Sequence, residues 1–115
     1  MSRNRLEIVQ GDDRRVIVPV RDQSGQPVDI SGAQSIEVAV VTNYGATPSI
    51  TKTLAANTIT ITGSNDQFFF DLTAADTGAL LAPRTYVLEA QLVTSSGLTY
   101  TVLQSTLLIK QQAIT

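Results

Sequence analysis

The stretch Gln67–Val93, QFFFDLTAADTGALLAPRTYVLEAQLV, decides the fold. Phe68, Phe70 and Leu72 alternate with Phe69 and Asp71, the period of a strand with one buried face. Thr73 follows, and Asp76 stands three residues on, the spacing of a capping box at a helix N-terminus. The spacing predicts a short helix over 74–81, weakened by Gly78 and unable to continue past Pro83. Leu80 and Leu81 are placed to plug the end of a core. Tyr86, Leu88, Ala90 and Leu92 then alternate with Thr85, Glu89 and Gln91, a second strand. Two period-two strands flanking one capped turn mark a β protein, with the helix as a corner piece.

The same alternation continues on both sides. Upstream, Leu6 and Ile8 flank Glu7, and Val16, Val18 and Val20 share a face opposite Arg15, Pro19 and Arg21. Pro19 cannot donate a ladder hydrogen bond, so this strand is expected at a sheet edge or at a bulge. Gly25, Pro27 and Gly32 punctuate the loop that follows. Ile36, Val38 and Val40 form one face of the next strand, and TNYGATP is a loop. Ile50 and Leu54 flank a short strand, Ile59 and Ile61 alternate with threonines, and TGSND turns the chain again. Downstream, TSSG is a hairpin turn with Gly97 suited to a positive φ. Leu98, Tyr100 and Val102 open the last strand. Its apolar phase then moves to Leu107 and Ile109, which predicts a bulge near Gln104. Seven or eight short strands at regular spacing indicate one all-β domain spanning 1–115, an antiparallel sandwich with Phe70, Leu88 and Val38 in its core.

Composition narrows the chemistry. Apolar residues make up 43% of the chain and charged residues only 16%, so the surface is built from uncharged polar side chains. The net charge of −2 shows no basic stripe for nucleic acid. Arg3 and Arg5 with Arg14 and Arg15 read as solvated strand ends. There is no histidine and no cysteine, which removes the commonest general base, the usual zinc ligands and the Ser–His or Cys–His nucleophile pairs. Asp12 and Asp13 are adjacent, and Asp22 and Asp29 follow, but none has the alternating spacing of a calcium loop. Asp12 is expected to cap the turn before the second strand. No Gly-rich phosphate loop is present, and without tryptophan a sugar site lacks its usual platform. No catalytic residue, cofactor or metal site is expected. The N-terminus MSRNRLEIVQGDD lacks the apolar core of a signal peptide, so the chain is expected to stay in the cytoplasm that made it.

IVQGDDRRVIVPVRDQSGQPVDISGA, with the stretch from Gln67 to Ile109, resembles phage virion proteins of immunoglobulin-like fold. The likeness is to the N-terminal domain of baseplate upper proteins and to related tail, neck-fibre and head-decoration modules, and it runs from Ile8 to Ile109. It departs at APRTY, where such proteins often carry a glycine before the tyrosine, and it ends with no fibre module attached. The resemblance implies a structural virion component without enzymatic activity, whose partners are copies of itself, as a trimer for instance, and other virion proteins. A carbohydrate-binding sandwich is the alternative. One group of residues bears on docking directly. Val9, Ile17, Val41, Phe69, Val87 and Val93 fall on the outward phase of their strands, and apolar residues gathered outside a core mark contact surfaces.

Overall fold

The structure, a computed structural model, describes residues 5–113; Arg3 lies outside them. Eight strands and one helical turn follow in order: β1 (Arg5–Val9), β2 (Arg14–Pro19), β3 (Ser35–Val41), β4 (Ile50–Thr53), β5 (Ile59–Thr62), β6 (Gln67–Leu72), α1 (Ala74–Gly78), β7 (Arg84–Val93) and β8 (Thr99–Lys110). They form a five-stranded sheet, β1-β8-β7-β3-β4, and a three-stranded sheet, β2-β6-β5. Setting β2, β3, β4, β5, β6, β7 and β8 as strands B, C, C′, D, E, F and G reproduces the immunoglobulin-type arrangement. One pairing departs from the antiparallel expectation: β1 runs parallel to β8, with Arg5 opposite Thr106 and Val9 opposite Lys110. β2 lies at a sheet edge, as Pro19 requires.

The core is the inward phase of both sheets. Phe68, Phe70 and Leu72 of β6 face Val38, Leu88 and Leu107 of the larger sheet, all essentially without solvent exposure. Immunoglobulin domains commonly brace this layer with a disulfide and a tryptophan. The present chain has neither, and Phe68 and Phe70 supply the bulk instead. Tyr86 keeps another habit of that fold. Its hydroxyl accepts a hydrogen bond from the Leu81 backbone N–H at 2.9 Å, tying the start of β7 to the corner before it.

That corner is where two distant stretches of sequence meet. Thr73 caps α1 in a reciprocal capping box with Asp76. Thr77, fully buried, donates to the Asp12 carbonyl at 2.7 Å and accepts from the Gly11 N–H at 3.1 Å. The Gln10 side-chain amide donates to the Leu80 carbonyl at 2.7 Å. The Asp13 carboxylate takes the Ala74 N–H at 2.6 Å. The capping carboxylate of the QGDD turn is thus Asp13, not Asp12, and what it caps is the helix rather than its own turn. Asp12 contributes its backbone. The helix also stops earlier than 81. It ends at Gly78, and the Leu80 N–H closes a tighter turn onto the Thr77 carbonyl. Leu80 and Leu81 therefore diverge, Leu80 into the core and Leu81 outward with 61% of its surface exposed. Only Leu80 plugs the sandwich.

At the other end the sheets are unequal. β7 has 10 residues and β8 has 12, while β2 and β6 have 6 and β5 has 4. The β7–β8 hairpin overhangs the smaller sheet. Leu98 and Tyr100, on the inward phase of the hairpin, are 55% and 53% exposed because no facing strand reaches them. The register steps from Ala90 opposite Leu103 to Gln91 opposite Thr101, which leaves Val102 as the extra residue of a bulge, two positions before Gln104.

Candidate docking surfaces

The six outward apolar residues divide between the two outer faces of the sandwich. Ile17 and Phe69 are direct cross-strand partners on the three-stranded sheet, with Thr60 on the far side of Phe69. Ile17 is 56% exposed, the most open of the six. Phe69 is half-buried, because the Arg15 guanidinium stacks 4.0 Å above its ring centroid. Arg15 is held there by two bonds to the Asp71 carboxylate, at 2.8 and 3.1 Å. Those bonds hold the Asp71 carboxyl below its ordinary range. The face thus presents a flat strip: an aliphatic side chain, an aromatic ring roofed by a cation, and a neutralising carboxylate.

Val41 and Val87 are also direct partners, on the outer face of the five-stranded sheet. Both are half-buried. Val9 sits at the end of β1 opposite Lys110, and Val93 at the far end of β7 opposite Ser35 and Thr99. Charged side chains break this face up. Glu7 lies within 3.8 Å of Arg5 and 3.6 Å of Lys110, and Glu89 accepts from the Gln104 amide at 2.9 Å. The structure therefore joins Ile17 to Phe69 and Val41 to Val87, and leaves Val9 and Val93 isolated at strand ends.

A groove of about 930 Å³ opens beside the overhanging hairpin. Pro19, Val20 and Val28 form one wall and Leu92, Tyr100 and Val102 the other. The charges on its rim are committed to their own loop. Arg21 donates to the Gly25 carbonyl, and Asp22 accepts from the Gln26 backbone N–H and from the Ser24 hydroxyl and backbone N–H, which lower its pKa. Sequence reasoning placed Leu98 and Tyr100 with the core phase and so missed this surface. The available signal was strand length: a ten- and a twelve-residue strand cannot be covered by partners half as long.

Among the described residues, no three His, Cys, Asp or Glu side chains converge, and no buried side-chain nitrogen or oxygen lacks a hydrogen-bond partner. No protein-family model matches the chain, and no curated protein matches it either.

Proposed function

We propose that this protein is a non-enzymatic structural component of a bacteriophage particle, in the tail or baseplate, the neck or the capsid decoration, and that it acts by self-association and by docking onto other virion proteins. The observation that carries the docking role is the Ile17–Phe69 pair. Two large apolar side chains sit side by side on the outer face of a sheet, one of them open to water. The low charge content and the resemblance of the two long sequence stretches to virion sandwich modules support the particle context. The virion is accordingly its proposed location.

The test is incorporation into particles. Purified chain is mixed with particles lacking it, and bound protein is quantified for wild type, Ile17→Asp and Phe69→Ser. Both variants are expected to keep the wild-type β-sheet circular dichroism and to lose most particle binding. Variants that bind like wild type would remove this face from the proposal. A wild type that binds no particle at all would remove the virion role. The exposed Tyr100 ring above an apolar groove gives the carbohydrate-binding alternative its one foothold. Co-sedimentation of the protein with cell-wall polysaccharide, lost in Tyr100→Ala, would favour that alternative.

A further inference from the structure

The sheets have several uncovered edges, and they are not equally defended against pairing. β2 carries Arg14, Arg15 and Pro19. β4 is 4 residues long and points Lys52 inward, where it meets Asp76 at 2.7 Å. β5 is equally short. β1 carries Arg5 and Glu7. Short strands, prolines, edge charges and inward-pointing lysines are the usual devices that stop sheets from growing. The first half of β8 has only its bulge. β1 pairs with Thr106–Lys110, and among the described residues no strand pairs with the outer edge of Thr99–Gln104. No charged residue occurs from Leu98 to Ile109.

The direction of the free backbone groups follows from the ladder. The Thr94 N–H donates to the Leu98 carbonyl at 2.8 Å, so Thr94 and Leu98 are a hydrogen-bonded pair. Antiparallel ladders alternate, so Thr99 and Thr101, opposite Val93 and Gln91, turn their N–H and C=O groups away from β7. The Val93 carbonyl agrees with this, since it accepts from Gln34 on the other side. The local sequence, Leu98-Thr99-Tyr100-Thr101-Val102, is close to a palindrome about Tyr100.

We propose that two copies of this chain pair edge to edge through β8, antiparallel, about a two-fold axis at Tyr100. In that register Thr99 of each copy exchanges both backbone hydrogen bonds with Thr101 of the other. Tyr100 faces Tyr100 of the second copy as a non-hydrogen-bonded pair, and Leu98 faces Val102. Thr–Thr and aromatic–aromatic cross-strand pairs are favourable neighbours. A two-fold contact must be self-complementary, and an uncharged near-palindrome meets its own copy without like-charge repulsion. The overhang matters as well: Tyr100 and Val102 line the groove and Leu98 stands exposed two residues before Tyr100, so pairing covers the exposed stripe of both hairpins together. The five-stranded sheets of two copies would become one ten-stranded sheet.

This proposal deepens the self-association named above, but its test needs no particle. Sedimentation velocity of the purified chain is expected to show a monomer–dimer equilibrium. Tyr100→Lys and Tyr100→Asp each set like charges on the axis, and each is expected to weaken dimerisation by about tenfold or more without changing the circular dichroism. Mixed together, the two variants are expected to regain the dimer. Because the chain has no cysteine, Tyr100→Cys places a single thiol on the axis, and it is expected to form a disulfide-linked dimer on mild oxidation. Ile17→Cys, on the outer face of the smaller sheet, is expected not to. A wild type that stays monomeric at millimolar concentration overturns the proposal, as does a dimer that Tyr100→Lys leaves intact. A monomeric wild type whose particle binding is lost in Tyr100→Lys also overturns it, and assigns the edge to a strand of another protein. Loss of particle binding in Ile17→Asp with β8 dimerisation retained would separate the two surfaces.

Discussion

Thr77 carries more of the fold than its size suggests. It is the only buried polar residue among those described, and its hydroxyl serves both Asp12 and Gly11. Thr77→Val keeps the shape and removes both bonds, leaving a carbonyl and an N–H without a partner. The expected loss is about 1–3 kcal/mol by chemical denaturation, with Thr77→Ser retaining much of it. A Thr77→Val variant as stable as wild type would show that water reaches this corner. Phe70 acts by bulk instead. It is fully buried between Val16 and Ile59, its register partners. Phe70→Ala is expected to cost roughly 3–5 kcal/mol, a large part of the stability of a domain this size. The phase that buries Phe68 and Phe70 was legible from alternation alone, because a one-residue slip would expose both. The role of Thr77 was not. In sequence it is an unremarked helical threonine, and its partners lie 65 and 66 residues away.

At the scale of elements, α1 is held by electrostatics as well as by its cap. Burial pushes the Asp76 carboxyl up, but the Lys52 ammonium and the Thr73 N–H and hydroxyl outweigh it and bring the pKa below its ordinary value near 3.8. A folded-state pKa below the unfolded one adds stability that is complete above the unfolded value and is lost as pH falls through the folded one. Wild type is therefore expected to lose stability below about pH 4. Asp76→Asn is expected to be less stable than wild type at pH 7, with the gap narrowing through the same acid range in pH-dependent urea melts. A gap independent of pH would mean that Asp76 acts only through hydrogen bonds that asparagine can replace. The cap was legible as Thr73 followed by Asp76. The Lys52 contact was not, since a lysine amid threonines in a short strand reads as solvent-facing. Only the pairing of Lys52 with Val38 shows that it points inward.

For the whole molecule, the sandwich, the β2 edge, the β7–β8 hairpin and the shift of phase in β8 were all readable locally. Each leaves a mark within a few residues: a period, a proline, a glycine, a change of parity. Which strands become neighbours leaves no such mark. The parallel β1–β8 pair joins the two ends of the described chain, and the docking of Gln10–Asp13 on α1 joins segments 61 to 70 residues apart, so no short window of sequence contains either pair. The candidate surface was legible to the same degree. Ile17 and Phe69 are visible as outward apolar residues, but that they touch, and that Arg15 roofs one of them, depends on the β2–β6 register. The β1–β8 pair also bears on synthesis. β8 lies between β7 and β1 in the sheet, yet of these eight strands it is the last to be synthesised. Until it emerges, β1 has no ladder partner and β7 lacks one of its two neighbours. The nascent chain must therefore wait with its larger sheet divided, exposing the apolar faces of β3 and β7 to any chaperone at the tunnel exit.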